Sequence, residues 1–217
     1  MSDLQNRLSI RFVGESGQGI NTLGELASKA LKNSNFYTFA YREYPSLIKG
    51  GIASYQIDIS SESLNSSSRY CDILISLDKD ACEYYIKTAY PQSIVIYDDK
   101  SLEGAENVKD IVSKSNLQCK YIATEETAEK AGGTKIMANM VLLGVLWKAL
   151  NLDTTPLEEI VRETFKNKNI DLEAEVKCIE AGYNIETDFK QTKNIKQSDI
   201  NLSENKIISG NESLALG

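Results

Sequence analysis

An α/β domain with a mainly parallel sheet is the fold class this sequence predicts, and three observations carry it. Short apolar runs with strand-like alternation recur through the first half of the chain. Stretches with apolar residues at helical spacing stand between them. The first junction between the two kinds is a glycine-rich turn, Gly14-Glu15-Ser16-Gly17-Gln18-Gly19. Strands alternating with helices are the pattern of a parallel sheet covered by helices. At 217 residues the chain is long enough for one large domain with a tail, and for a substantial core.

The elements follow in order. Arg7 to Val13 alternates apolar and polar side chains, ends in glycines and reads as a strand. Gly14 to Gly19 is a loop. Ile20, Leu23, Ala27, Ala30 and Leu31 are spaced as one face of a helix, which Asn33-Ser34-Asn35 ends. Phe36 to Tyr41 is aromatic-rich and reads as a second strand. Pro45 to Gly51 is a turn-rich loop, Ile52 to Ile59 an alternating strand, and 60–68 a serine-rich loop. Asp72 to Leu77 suits a buried strand. Asp80 to Tyr90 reads as a helix and Ser93 to Tyr97 as the next strand. Val108 to Val112 and Cys119 to Ile122 are expected to be short strands, and Thr124 to Ala131 a helix. Gly132-Gly133 separates that helix from a stronger one over Lys135 to Leu150. Asp153 or Thr154 caps the next, with Pro156 in its first turn and an end near Lys166. A last helix covers Ile170 to Phe189. The polar stretch 190–205 is expected to be a linker.

Composition narrows the chemistry. Lys plus Arg is 24 and Asp plus Glu is 31, so the net charge is −7. An acidic chain argues against nucleic acid or an anionic membrane as the main partner. The histidine count is zero. Ser-His, Cys-His and His-metal arrangements within the chain are thereby excluded. The four cysteines, Cys71, Cys82, Cys119 and Cys178, are 11, 37 and 59 residues apart. That is no zinc or iron–sulfur ligand spacing, and no disulfide framework. They are expected to be packing residues in a reducing cytoplasm. No signal peptide is evident, and the apolar Ile136–Leu150 stretch is interrupted by Asn139 and Lys148 and is short for a bilayer span. No catalytic residue and no metal ligand is assigned.

Two loops are candidates for ligand binding. Gly14–Gly19 stands where a strand passes into a helix, a context that suits phosphate: glycines permit close backbone approach, and the helix start offers N–H groups and a positive dipole end. The spacing is close to the dinucleotide fingerprint, but Ser16 occupies its second glycine. A tight turn without a ligand explains the same residues. Glu43 lies 24 residues after Gly19, near the place of a ribose-binding acid; adjacent Arg42 favours surface or interface ion pairs for both. The second loop places Ser46 and Lys49 before Gly50-Gly51, which suits a phosphate or carboxylate. An ordinary loop with a solvated lysine is the alternative. Asn139, inside an apolar helix, either bonds within the helix or points into a site.

Taken together the two loops resemble a known family. RFVGESGQGINTLGELASKAL, FAYREYPSLIKGGIASYQIDIS and CDILISLDKDA, in that order, resemble the gamma-type domain of 2-oxoacid:ferredoxin oxidoreductases. The family has a GxGGQG loop, a proline-led loop ending in a cation and two glycines, and an aspartate-led strand. Asn139 to Gly144 resembles its N-x-x-x-L-G helix. The likeness covers about Leu8 to Tyr183, more weakly after Leu102. Ser16 stands for a glycine, Lys49 for a common arginine, and Ile52 for a frequent histidine. The tail from Ile208 to Gly217 resembles the opening of the family's alpha-type, thiamine-associated domain, which implies a chain cut within a fused alpha subunit.

The resemblance implies a Rossmann-like three-layer domain over 1–189, a linker over 190–205 and the start of an alpha-type domain over 206–217. It also implies the enzyme: oxidative decarboxylation of a 2-oxoacid, with 2-oxoglutarate favoured by the fused order, to an acyl-coenzyme A. Thiamine diphosphate, Mg and iron–sulfur clusters belong to the complete enzyme rather than to this chain, and the partners implied are the alpha-type domain, a thiamine-binding beta subunit and ferredoxin. The chain alone is then an inactive accessory part. Coenzyme A would be contacted by Gly14, Ser16, Gly17, Gln18, Gly19, Ser46, Lys49, Gly50, Gly51 and Asn139. An NAD- or flavin-binding oxidoreductase domain and a purely structural interaction module are the alternatives.

Overall fold

The computed structural model describes residues 6–43, 51–98, 102, 105–190, 193–202, 204–210 and 212–213. The loop that holds Ser46, Lys49 and Gly50 lies outside them. Six strands form one sheet: β1 (Arg7–Glu15), β2 (Tyr37–Glu43), β3 (Ile52–Ser60), β4 (Cys71–Ser76), β5 (Ala89–Tyr97) and β6 (Gln118–Tyr121). Their order is β2-β3-β1-β4-β5-β6. β1, β4, β5 and β6 pair in parallel. β3 pairs antiparallel with both β1 and β2, so β3 is the one strand that runs against the rest. The sheet is thus mixed and mostly parallel.

Seven α-helices are described: α1 (Ile20–Asn33), α2 (Lys79–Tyr85), α3 (Glu106–Ser115), α4 (Thr124–Lys130), α5 (Ala138–Leu150), α6 (Thr155–Phe165) and α7 (Leu172–Tyr183). They cover both faces of the sheet, in three layers. Strand alternation assigns the faces. Ile10 and Phe12, Ile57 and Ile59, Ile73 and Ile75, and Ile94 and Ile96 pack with α1, α5, α6 and α7. Leu74 and Val95 on the opposite face pack with Ala81, Cys82 and Tyr85 of α2 and Val108 of α3.

Beneath β1 and β3 that second face is polar yet buried. Arg11, Gln56, Asp58 and Asp72 are at most 6% exposed. Each is tied down: Arg7 to Asp58 (3.1 Å), Arg11 to Gln56 (3.0 Å), Gln56 to Asp58 (3.1 Å), and the Ser9 amide to Asp72 (2.8 Å). The alternation of β1 therefore marks two buried faces of different chemistry. Burial of such groups is tolerated because their hydrogen bonds are made.

Several boundaries differ from the sequence expectation. The strand expected at Val108–Val112 is part of α3, in which Val108, Ile111 and Val112 turn one stripe toward the second core. The helix expected over Asp80–Tyr90 gives way to a 3-10 turn at Ile86–Thr88, and Ala89 already belongs to β5. α7 starts after the Asp171 cap and ends at Tyr183, short of Phe189. Lys135–Met137 is a 3-10 turn leading into α5.

α5 and α7 cross through glycines. A Cβ on Gly144 would stand 2.0 Å from the Ile179 carbonyl oxygen, and one on Gly182 would stand 2.1 Å from that of Val141. The stretch expected as a linker is strapped to the domain. Asn35, at φ 67, accepts from the amides of Ser198 and Leu202 (both 2.8 Å) and donates to the Ser198 carbonyl. Lys193 pairs with buried Asp72 at 2.9 Å. Leu202 is 2% exposed. Among the described residues no single helix is long and apolar enough to cross a membrane.

Candidate functional site

The place of the candidate site follows from the topology. From β1 the chain passes through α1 to one face of the sheet, and from β4 through α2 to the other. The carboxyl ends of β1 and β4 are therefore a switch point, where adjacent loops part and ligands of open α/β sheets bind. Leu77, just past β4, donates its amide to the Val13 carbonyl (3.0 Å), which holds the two strand ends together.

Gly14–Gly19 lies at this switch point, between β1 and α1, and each glycine has its own reason. Gly14 is enclosed: a Cβ there would meet Gln18 Oε1 at 2.6 Å and Ile20 Cδ1 at 2.9 Å. Gly17 has φ 106 and open space around it, so conformation alone demands glycine there. Gly19 combines both constraints, with φ 87 and Asn139 Nδ2 2.6 Å from where a Cβ would be. Ser16 is not among the residues at positive φ, and it is exposed. A side chain at that position is therefore free of backbone strain.

Gln18 and Asn139 build the loop. Gln18 Oε1 accepts from the Glu15 amide (2.7 Å), and its Nε2 donates to the Leu77 carbonyl (3.4 Å). Asn139 Nδ2 donates to the Gln18 carbonyl (3.0 Å), tying the start of α5 to the loop. The polar interruption in the apolar α5 is thereby explained. α1 begins at Ile20 with no side-chain cap and no acidic residue in its first turn. Its first amides lack intrahelical acceptors and aim out of the helix start. Glu15 is exposed.

The second loop reaches the first. The Ser16 amide donates to the Gly51 carbonyl at 3.1 Å, and Gly51 has φ 102. This bond brings Gly51 to the edge of the Gly14–Gly19 turn. Ser46, Lys49 and Gly50 belong to the segment outside the described residues. Glu43, at the other end of that segment, is no ribose ligand here: its carboxylate accepts from Tyr85 Oη (2.5 Å) and Ser54 Oγ (2.9 Å). Arg42 forms an exposed ion pair with Glu25 (2.9 Å).

Cavities lie elsewhere among the described residues, and two of them flank β5 and β6. One of about 530 Å³, lined by Gln92, Asn116, Gln118, Asp188 and Lys190, is at the amino ends of β5 and β6. Another of about 320 Å³ at their carboxyl ends is lined by Asp98, Thr124, Glu125, Glu126, Glu129 and Lys135, an acidic wall unsuited to phosphate. Neither includes a residue of the glycine turn.

The cysteines are unsuited to redox clusters. Burial pushes the thiols of Cys71 and Cys82 up to about 12 and that of Cys119 to about 11, and raises Cys178. Iron–sulfur ligation requires thiolates gathered at one point. Among the described residues no group of three or more His, Cys, Asp or Glu side chains is placed to hold a metal ion. These four cysteines do not fit a cluster.

The sequence pattern of the pyruvate ferredoxin/flavodoxin oxidoreductase family matches residues 9–185. The chain belongs to that family. Among relatives in this family, the alpha subunit of a Sulfolobus 2-oxoacid:ferredoxin oxidoreductase is 25% identical over 85% of this chain and 36% of its own length. The chain thus spans little more than a third of that relative. The 2-oxoglutarate synthase subunit KorC of Methanothermobacter marburgensis is 27% identical over 74% of this chain and 86% of its own. The fold is shared with the 2-oxoglutarate:ferredoxin oxidoreductase of Magnetococcus marinus, solved with 2-oxoglutarate, coenzyme A and succinyl-CoA bound. There the TM-score is 0.78 at 23% identity, covering 97% of this chain and 36% of that one. The gamma subunit of a keto/oxoacid ferredoxin oxidoreductase from Geobacter sulfurreducens gives a TM-score of 0.63, also at 23% identity, over 82% of this chain and 94% of its own.

Proposed function

We propose that this chain is the gamma-type part of a 2-oxoacid:ferredoxin oxidoreductase, with 2-oxoglutarate the favoured substrate, and that it contributes to coenzyme A binding and to subunit assembly. The observation that carries the reading is the Ser16–Gly51 hydrogen bond, 3.1 Å, which joins the two glycine loops beside the uncapped start of α1. Coenzyme A bears phosphate groups, and amides at a helix start favour such anions. In this reading Gly14, Ser16, Gly17, Gln18, Gly19, Gly51 and Asn139 shape a ledge for phosphate, and Ser46, Lys49 and Gly50 complete it. Lys49 supplies the cation.

Thiamine diphosphate would supply the carbanion chemistry, with Mg and the iron–sulfur clusters, in an alpha-type domain, a beta subunit and their neighbours; ferredoxin takes the electrons. The division into a gamma-type domain, a linker and the opening of an alpha-type domain is part of the same proposal. A reciprocal pair of bonds supports a helix start in 206–217: the Ser209 amide to Glu212 Oε2 (2.7 Å) and the Glu212 amide to Ser209 Oγ (3.2 Å).

Thermal melting of the chain with coenzyme A, NAD and FMN tests the reading. A ligand at a hundred times its Kd stabilises by about 2.7 kcal/mol, which in a domain of this size is a rise of roughly 5–10 °C. Coenzyme A is expected to give such a rise and NAD and FMN none. A rise with NAD or FMN alone overturns the reading in favour of a dinucleotide or flavin site. No rise with any of the three leaves an interaction module.

A further inference from the structure

Glu43 closes β2, and Ser54 stands opposite it in the antiparallel register. The Glu43 carboxylate accepts the hydroxyls of Ser54 (2.9 Å) and of Tyr85 (2.5 Å). Tyr85 belongs to α2, in the layer on the other side of the sheet from α1, and is 6% exposed. It is fixed in turn. The Arg11 guanidinium lies 5.2 Å over its ring, and Arg11 is held by Gln56 Oε1 (3.0 Å) and Thr88 Oγ1 (3.2 Å). Thr88 Oγ1 also donates to the Tyr85 carbonyl (2.7 Å). Burial and the neighbouring Glu43 push the Tyr85 hydroxyl up to about 12, so it remains a donor across the working pH range.

Three residues before Ser54, the Gly51 carbonyl accepts the Ser16 amide. The end of β3 nearest the glycine turn is thus held at two points: by Glu43 and Tyr85 from one side, and by the turn itself from the other. Among the described residues, the hydrogen bonds of the Glu43 side chain go to Ser54 and Tyr85 and not to the turn. Among the described residues its carboxylate is met by hydroxyl donors and makes no ion pair with Lys or Arg.

We propose that Glu43 is a positioning residue for the ledge: its clasp on Ser54 and Tyr85 fixes Gly51 against Ser16 and so sets the shape that phosphate meets. The inference rests on the coenzyme A reading above for its consequence, and on the clasp alone for its geometry. Glutamine retains a carbonyl that accepts from the same two hydroxyls. Alanine removes both bonds, and Tyr85→Phe removes one.

Titration with coenzyme A and amide hydrogen exchange, on the chain and its Glu43→Gln, Glu43→Ala and Tyr85→Phe variants, test this. Glu43→Gln is expected to bind within about threefold of the parent, since it keeps its acceptor. Glu43→Ala and Tyr85→Phe are expected to raise Kd roughly tenfold, as loss of a buried hydrogen bond implies. In both, the Ser16 amide is expected to exchange at least tenfold faster while α5 and α7 keep their protection. A merely structural loss would lower protection throughout. Parent-like Ser16 exchange in Glu43→Ala and Tyr85→Phe overturns the proposal. If Glu43→Ala does not fold, Tyr85→Phe and Glu43→Gln still decide it. If the parent binds no coenzyme A, the coenzyme A reading falls, and Ser16 exchange alone judges the clasp.

Discussion

Gly19→Ala is the perturbation that probes the turn most sharply. Gly19 sits at φ 87, and the added Cβ would land 2.6 Å from Asn139 Nδ2. That nitrogen now donates to the Gln18 carbonyl at 3.0 Å. Left-handed backbone costs a residue with a side chain about 1–2 kcal/mol. Asn139 must also swing aside, and its hydrogen bond is worth about 0.5–1.5 kcal/mol. The sum is roughly 1.5–3.5 kcal/mol, or a fall in Tm of about 3–14 °C for a domain of this size. Asn139→Ala alone removes the hydrogen bond and costs about 1 kcal/mol. In the double variant the clash and the bond are both gone, and only the backbone strain is added. It is therefore expected to cost about 1 kcal/mol less than the sum of the single changes. Urea melts of the four proteins measure this cycle. Additive effects, or a Gly19→Ala variant within 0.5 kcal/mol of the parent, would refute the contact between Asn139 and the turn.

Three further outcomes are expected. Gly144→Ala puts a methyl 2.0 Å from the Ile179 carbonyl oxygen; separating α5 from α7 outweighs the roughly 1 kcal/mol gain in helix propensity. A urea midpoint equal to the parent's contradicts that crossing. Lys193→Met leaves Asp72 buried without its cation and is expected to cost about 1–3 kcal/mol at pH 7, short of a fully buried pair because Lys193 is partly exposed. Burial already raises Asp72 above the usual carboxylate range and Lys193 opposes that rise. A raised carboxylate favours the folded state most when protonated and loses that advantage as pH climbs through its folded value. The variant's penalty is therefore expected to shrink as pH falls toward 4, and equal penalties at pH 4 and 7 count against the pair. The thiols of Cys71 and Cys82, pushed up to about 12, are about one part in ten thousand thiolate at pH 8. Iodoacetamide with mass spectrometry is expected to label them only in urea; rapid labelling in native buffer contradicts their burial.

The first strand, the glycine turn and α1 were legible because local spacing determines them: Ile20, Leu23, Ala27, Ala30 and Leu31 can share one face only in a helix. Strand direction is not local. Nothing in Ile52–Ile59 marks β3 as the strand that runs against the others. Alternation in β1 reads as one buried face and one wet face, because a single strand does not reveal that Arg11 has Gln56 and Thr88 waiting. Val108, Ile111 and Val112 do carry helical spacing, and the short apolar run obscures it. At the candidate site the glycines were visible in the chain, and their distinct reasons were not. Gly14 answers to Gln18 and Ile20, while Gly19 answers to Asn139, 120 residues away. Glu43 was visible as an acid near the expected place. Its partner Tyr85 lies 42 residues on, in another layer, and no spacing rule connects them.

Backbone amide NMR of the chain, titrated with coenzyme A, tests whether phosphate meets the glycine turn. The largest shifts are expected at Ser16, Gly17, Gly19, Ile20 and Gly51, and much smaller ones with pantetheine, which lacks the phosphates. Shifts centred instead on 116–119 and 188–190, around the cavity of about 530 Å³ at the other end of the sheet, would contradict it.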